Sequence, residues 1–185
     1  MDEIVEPVKT NRPKASLAEM TAIAREYCDL IENLESGSSS ENWIKHMGQL
    51  LPKLHTTVIL LESPQAVSYS QYLENDDVRC ELFMRLNEFF LSNQQIWPDF
   101  DKYDLKLHMC ESLAYDFTDM YFDLKRGLEL LDIYPNQPNH AATDWRSSFF
   151  YHWGRQLVDA EGWLHAVGYC DSTASLEDIS KIRTA

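Results

Sequence analysis

The amino-acid sequence predicts a single all-α domain, a bundle of about five main helices followed by a short C-terminal tail helix. Long runs of the chain repeat hydrophobic residues every three to four positions, as one buried face of a helix requires. No segment alternates convincingly between apolar and polar residues, as a strand would, and no internal repeat is visible. The chain has 185 residues, which is enough for one hydrophobic core and short for two.

The first helix is predicted to begin at Ser16. Residues 16–19 have the pattern of a capping box, in which the serine hydroxyl and the side chain of Glu19 each satisfy a free backbone amide. Apolar residues follow at helical spacing from Leu17 to Leu34, and Gly37 with its flanking serines ends the run.

The second helix is predicted to begin at Ser40, with an apolar stripe from Trp43 to Leu61. Pro52 lies inside this stripe. Because proline removes a backbone donor and crowds the carbonyl of Gly48, we expect a kink, or two shorter helices that meet near Gln49.

A loop is predicted over residues 63–75, before the third helix. Asp76 and Asp77 place negative charge at the start of that helix, where the helix dipole favours it. Turn residues at 97–99 separate it from a long fourth helix, predicted from about Tyr103 to Asp132. The length of this helix indicates that it is the central element of the bundle.

Two prolines mark residues 134–139 as a loop, and a fifth helix is predicted from about Thr143 to Gly168. A short amphipathic helix is predicted in the tail from Ser175. The predicted domain organisation is a flexible N-terminal arm over 1–14, the helical bundle over 15–170 and a polar C-terminal tail over 171–185.

The charge of the chain excludes one class of partner. The sequence contains 30 acidic and 16 basic residues, for a formal net charge of -14, so its surface repels nucleic acid. A basic protein surface or a cationic ligand stays open, although an acidic surface is most often a solubility feature.

The sequence predicts a cytoplasmic protein without a membrane segment. Its N-terminal residues are acidic where a signal peptide needs a basic start. The longest apolar stretch, residues 58–61, falls far short of the roughly 20 residues that span a bilayer. The cysteines lack the spacing of a zinc site or a disulfide framework, which favours reduced, buried thiols; they are Cys28, Cys80, Cys110 and Cys170.

The fifth helix carries polar residues on its apolar face. At about 100° per residue, one narrow stripe contains Trp145, Phe149, Trp163 and Val167 together with His152, Gln156 and Asp159. Unpaired burial would cost about 1–3 kcal/mol for each polar group, so they must meet partners on another helix, water or a ligand. The aromatic candidates for lining a ligand site are Trp145, Trp153, Trp163 and Tyr121.

The fourth helix offers three aspartates as partners. Asp116, Asp119 and Asp123 fall at helical spacing along one flank of its apolar stripe. If that flank faces the fifth helix, charge balance requires a histidinium, an arginine such as Arg155, or a divalent metal between the helices. Carboxylates and a histidine from facing helices are also how helical bundles build metal sites.

The alternative is that these aspartates are solvated. For Asp116 and Asp119 the sequence favours a solvated helix edge. Asp123 has a second possible role, in which it pairs with Arg126 or Lys125 along the surface.

For His152 and Asp159, two interpretations stay equally open: a hydrogen-bonded pair that fixes helix packing, and a ligand or catalytic site. Glu161 and His165 also share a helical face. That pair lacks the second copy that a dinuclear metal site requires, so we do not interpret it as a metal site.

Two segments resemble a known family. Residues 119–128, DMYFDLKRGL, and residues 152–160, HWGRQLVDA, are similar to the signature of a bacterial helical family catalogued as domain of unknown function 5063. The resemblance covers most of the chain in helix order. The resemblance implies a helical fold. It also implies that relatives often have histidine at the position of Gln156, which would pair with His152 one helical turn away. This chain lacks that second histidine. The family has no assigned activity.

The sequence is compatible with two main classes of function. It has no G-x-S-x-G, glycine-rich phosphate loop, H-E-x-x-H or dinucleotide motif, which favours a protein that binds a protein partner, a second copy of itself or a small ligand without catalysis. The alternative is a metal-dependent hydrolase of a phosphorylated small molecule. There Asp119 and Asp123 would hold a divalent ion, and His152 would move protons.

Overall fold

A computed structural model describes residues 14–34, 39–62, 76–93 and 103–172, without the side chains of 103–105 and 168–172. Within these ranges the elements are helices and no strand is present, so the predicted all-α class is confirmed. Several predicted segments lie outside the described residues: most of the N-terminal arm, the loop at 63–75, the turn at 97–99 and the tail helix from Ser175.

The helices in chain order are α1 (Leu17–Glu32), α2 (Ser40–Leu60), α3 (Asp76–Ser92), α4 (Tyr103–Ile133), α5 (Asn139–Ser148) and α6 (Gly154–Ser172). A π-helical segment, Phe149–Trp153, joins α5 to α6 without a break, and the three together form the predicted fifth helix. This helix begins at Asn139 rather than near Thr143 because Pro138 occupies its N-cap position, and proline is tolerated at a helix start.

Serine side chains cap the first two helices. Ser16 Oγ accepts a hydrogen bond from the backbone N–H of Glu19 at 3.1 Å, as the sequence predicted. Ser39 Oγ accepts a hydrogen bond from the backbone N–H of Asn42 at 3.3 Å. Ser39 is therefore the N-cap residue, and α2 begins at Ser40, as predicted.

α2 continues through Pro52 as one helix, so the alternative of two shorter helices is wrong. The reason is burial. Leu50, Leu51 and Leu54 on either side of the proline are fully buried, and burying such side chains contributes about 1.5–3 kcal/mol each. The C-terminal end of α2 is held by Arg146, whose guanidinium donates to the carbonyls of Ile59 and Leu61.

α4 is the central helix, as predicted, because it packs against α1, α3, α5 and α6. Beside it lies an aromatic core in which the ring of Phe117 is 5.6 Å from that of Trp43 and 5.8 Å from that of Phe90. The phenol of Tyr27 donates to the backbone carbonyl of Phe117 at 3.0 Å.

A tryptophan sets the approach of α5 to α4. The indole of Trp145 is fully buried and donates to the carbonyl of Leu124 at 3.1 Å. A Cβ atom at Gly127 would lie 2.0 Å from Trp145 Nε1. Glycine at this position therefore allows α5 to pack directly on the backbone of α4.

Among the described cysteines, Cys28 and Cys110 are free and buried, as predicted. Cys80 is exposed, so the prediction of a buried thiol was wrong there. The buried residues of α3 are Leu82, Leu86 and Phe90, and Cys80 lies off this stripe. The side chain of Cys170 lies outside the described part of the chain.

Candidate functional site

Three aspartates of α4 lie inside the protein. Asp116, Asp119 and Asp123 are 5%, 0% and 2% exposed, so the predicted solvated edge for Asp116 and Asp119 was wrong. Side chains of α3, the π segment and α6 contact the flank of α4 that carries these aspartates. The periodicity of α4 alone could not predict this burial, because it does not show which helices pack on that flank. We call the following residues the polar cluster: Arg79, Asp116, Asp119, Asp123, Arg126, Asp144, His152 and Gln156.

Asp123 is bound by two cationic side chains. Arg126 Nη2 donates to Asp123 Oδ1 at 2.5 Å, and His152 Nδ1 donates to Asp123 Oδ2 at 2.5 Å. Arg126 Nε also lies 3.1 Å from Asp144 Oδ2 on α5, so one guanidinium bridges two carboxylates. The predicted pairing of Asp123 with Arg126 is confirmed, but both side chains are buried inside the bundle.

Asp119 connects three elements. Its Oδ1 accepts a hydrogen bond from Arg79 Nη2 of α3. Its Oδ2 accepts one from Gln156 Nε2 of α6 at 3.3 Å and lies 3.7 Å from His152 Nε2 in the π segment. The carboxylate therefore holds α3, the π segment and α6 on α4.

Both ring nitrogens of His152 face carboxylates. The hydrogen bond to Asp123 raises the pKa of His152 above its ordinary 6.5, and the charges of Asp123 and Asp119 add to this, against burial and the charge of Arg79. The imidazolium form is favoured. The two carboxylates therefore stabilise the charged form of His152 relative to the neutral form.

Asp116 has a different environment. Burial and the charges of Asp159 and Asp119 raise its pKa from 3.8 to about 7, against the charge of Arg155 and a hydrogen bond from Ser112. Within the described residues, neither Asp116 Oδ2 nor Gln156 Oε1 has a hydrogen-bond partner. Two buried acceptors without a donor favour a protonated Asp116.

The π segment explains where the predicted stripe fails. The N–H of Gly154 donates to the carbonyl of Phe149, five residues earlier. Such a turn contains about one residue more than an α-helical turn, so the buried face of the following helix is shifted by about one residue. From Trp153, the last residue of the segment, onwards the buried residues are Trp153, Leu157, Ala160, Leu164 and Val167. Asp159 is consequently exposed and pairs with Arg155 at 3.5 Å, so its predicted place in the buried stripe was wrong.

The aromatic candidates take part in packing. Trp153 is fully buried and its indole N–H donates to Ser148 Oγ at 2.8 Å, and Trp145 is enclosed between α4 and α5 as described above. Trp163 is half-buried, and the phenol of Tyr121 donates to a carboxylate oxygen of Glu32 at 2.8 Å.

The donor set of the polar cluster does not suit a metal. In the part of the chain that the structure describes, no three His, Cys, Asp or Glu side chains are grouped as metal ligands. The carboxylates of Asp119 and Asp123 already bind arginine and histidine side chains. A divalent ion would have to replace these internal cations.

Sequence reasoning missed Arg79 and Asp144. Arg79 lies three residues before Leu82, at the head of the buried stripe of α3, and a basic residue in line with a buried stripe is a signal that could have identified it. Asp144 precedes Trp145 on α5 and has no comparable signal in the sequence.

The fold and the site define an all-α bundle that is held together by a buried ionic cluster. The chain belongs to the family described as a domain of unknown function, DUF5063, whose family model matches residues 11–170. The resemblance seen in the last two long helices is thereby confirmed.

A solved structure has a similar fold. The crystal structure of protein BF1032 from Bacteroides fragilis matches with a TM-score of 0.62 and 19% sequence identity, over 81% of this chain and 90% of that chain. At this identity the similarity shows the fold alone. A comparison with curated proteins found no match.

None of the described helices combines the length and the apolar composition that crossing a bilayer requires.

Proposed function

We propose that the protein acts by binding a protein or a small ligand without catalysis, and that the polar cluster is part of its structural core. The position of His152 carries this proposal. Its Nδ1 bonds Asp123 and its Nε2 lies 3.7 Å from Asp119, so both ring nitrogens lie against carboxylates of α4.

The charges of the cluster balance internally. The carboxylates of Asp119, Asp123 and Asp144 face the cations Arg79, Arg126 and His152. Removing one partner of a buried ion pair costs about 3–5 kcal/mol. A site that must lose an internal cation before it binds a metal is poorly suited to metal-dependent hydrolysis, the alternative that the sequence left open.

Exposed apolar side chains outside the cluster support a binding role. Phe150 and Tyr151 in the π segment are 61% and 77% exposed, and Val158 on α6 is 51% exposed. The guanidinium of Arg146 lies 5.4 Å from the ring centre of Phe150, which restrains this ring in its exposed position. Aromatic side chains in such positions are common at protein contacts.

The chemistry of the partner follows from charge. With a formal net charge of -14, the protein attracts cations at long range and speeds their encounter. A basic protein surface or a cationic small molecule is therefore the partner class that we propose.

The test uses His152→Gln and Asp119→Asn, with Arg155→Gln as a matched control because the Arg155 side chain is 88% exposed. Ligands found by an NMR screen of the wild type should bind all three folded variants with similar affinity. Phosphate release from phosphorylated small molecules, with Mg²⁺ or Mn²⁺ present, should be absent. Turnover by the wild type that both cluster variants lose, and the control keeps, would overturn the proposal.

A further inference from the structure

A groove of about 430 Å³ lies between α2 and α6, away from the polar cluster. Its lining combines the apolar side chains of Leu51, Pro52 and Leu164 with the polar side chains of His55, Glu161 and His165. Gly48 also lines it. Volumes of about 300–1,000 Å³ are typical of small-molecule sites.

Gly48 lines this groove without a side chain. It lies inside α2, where glycine is a poorer helix former than alanine. A Cβ atom at this position would meet nothing within 4 Å. Among the described residues, no neighbour requires glycine here, and the missing side chain leaves space in the groove.

Pro52 adds a hydrogen-bond acceptor to the same place. In a regular helix the carbonyl of Gly48 would accept from the N–H of residue 52, and proline has no N–H. A carbonyl that loses its helical donor needs another one. A ligand in the groove can supply it.

Glu161 supplies a negative charge beside these residues. Its side chain is 23% exposed, and Oε2 lies 3.1 Å from His55 Nδ1. A carboxylate accepts several hydrogen bonds, so Glu161 can bond a second donor while it holds His55. The groove thus presents an acidic acceptor and a backbone acceptor beside the exposed ring of Pro52.

We propose that this groove binds a small aliphatic amine. The ammonium group donates to Glu161 and to the carbonyl of Gly48, and the alkyl chain lies on the exposed ring of Pro52. An ammonium has three donors and no acceptor, which matches an acceptor-rich site in a protein with a net charge of -14. The inference rests on the proposed function, because it assigns a site and a ligand class to a binding protein.

The test compares pentylamine with pentanol, which has the same chain without the charge. In NMR titrations of the full chain, pentylamine should shift the amide signals of Gly48 and Glu161 in a saturable manner. Pentanol should bind at least about tenfold more weakly, the ratio expected when a charged hydrogen bond is lost. Equal binding of the two compounds, or no saturable shift with pentylamine, would overturn the inference.

Two variants and a control locate the site. Glu161→Gln should weaken pentylamine binding about tenfold, and Gly48→Leu should abolish it by filling the groove. Gly162→Leu is the matched control, because a Cβ atom there also meets nothing within 4 Å but Gly162 does not line the groove. Binding that survives in Gly48→Leu, with melting curves that show a folded protein, contradicts the assignment.

Failure of this inference and failure of the proposed function have different signatures. Absence of amine binding removes the groove assignment and leaves a binding protein with another ligand. Turnover that depends on His152 removes the proposed function, whatever the groove binds.

Discussion

Asp116 makes the stability of the protein depend on pH. Its pKa is raised from 3.8 to about 7 in the folded state, so the folded protein binds this proton more tightly than the unfolded chain does. The stabilising effect is complete below about pH 4 and is lost as the pH rises towards 7. This direction is opposite to that of an aspartate in an ion pair.

We predict that Asp116→Asn removes this dependence. Asparagine keeps the shape of the protonated acid, so the variant should match the wild type near pH 4 and be more stable at pH 8. The difference should grow by up to about 1.4 kcal/mol for each pH unit between the two pKa values. Urea unfolding at several pH values measures it. A variant that is less stable than the wild type at pH 8 would show that Asp116 is ionised and paired.

His152 should titrate above the ordinary histidine range. Its bond to Asp123 raises its pKa, so its stabilising effect is complete below pH 6.5 and is lost as the pH rises through the folded value. An NMR titration of the ring protons measures the pKa directly, and Asp123→Asn should lower it. A His152 pKa at or below 6.5 would contradict the predicted shift.

The π segment sets the position of His152 and depends on one glycine. A Cβ atom at Gly154 would lie 2.4 Å from the backbone carbonyl oxygen of Phe149, the acceptor of the π-type hydrogen bond. Because this acceptor is backbone, it cannot rotate away as a flexible side chain would. A methyl group here forces the turn to change.

We predict that Gly154→Ala destabilises the protein by about 1–3 kcal/mol, the usual cost of overpacking. Gly162→Ala, on the same helix in open space, should instead stabilise it by about 0.5–1 kcal/mol, because alanine is the better helix former. Thermal melts of the two variants make the comparison. Equal effects of the two substitutions would mean that α6 does not require the π turn.

The helices themselves were largely predictable from the chain. Ser16, Asp76 and Tyr103 mark starts of helices that the structure confirms, because caps, helix dipoles and apolar spacing act within a few residues. The register beyond Phe149 was not predictable, because a hydrophobic pattern drawn at a constant angle cannot include a single π turn. Trp163 and Asp159 were misplaced for this reason.

The polar cluster connects distant parts of the molecule. Arg79 and Asp119 are separated by 40 residues in the chain, and their pair holds α3 against α4. The Asp119 side chain is fully buried and that of Arg79 is 30% exposed. Loss of the arginine alone leaves a buried carboxylate without its main counter-charge.

We predict that Arg79→Met costs about 3 kcal/mol and that adding Asp119→Asn recovers much of this loss. Urea unfolding of the wild type, both single variants and the double variant completes a double-mutant cycle and gives the coupling energy of the pair. Lys125→Met is the control, because the Lys125–Glu32 pair is 38% and 40% exposed and exposed pairs contribute less than about 1 kcal/mol. Additive effects of the first two substitutions would show that the pair does not hold α3.

At the scale of the whole molecule, some features follow from neighbouring residues in the chain and others depend on tertiary contacts. Composition, caps and helical spacing, which depend on near neighbours in the chain, sufficed to predict an all-α bundle and to select His152, Asp119 and Asp123 as residues of interest. Burial of the aspartates, the pairing of Asp119 with Arg79 and the exposure of Asp159 depend on which helices meet in space. Those contacts join residues far apart in the chain, so tertiary packing alone gives Asp119 and Asp123 their buried ionic partners on other helices.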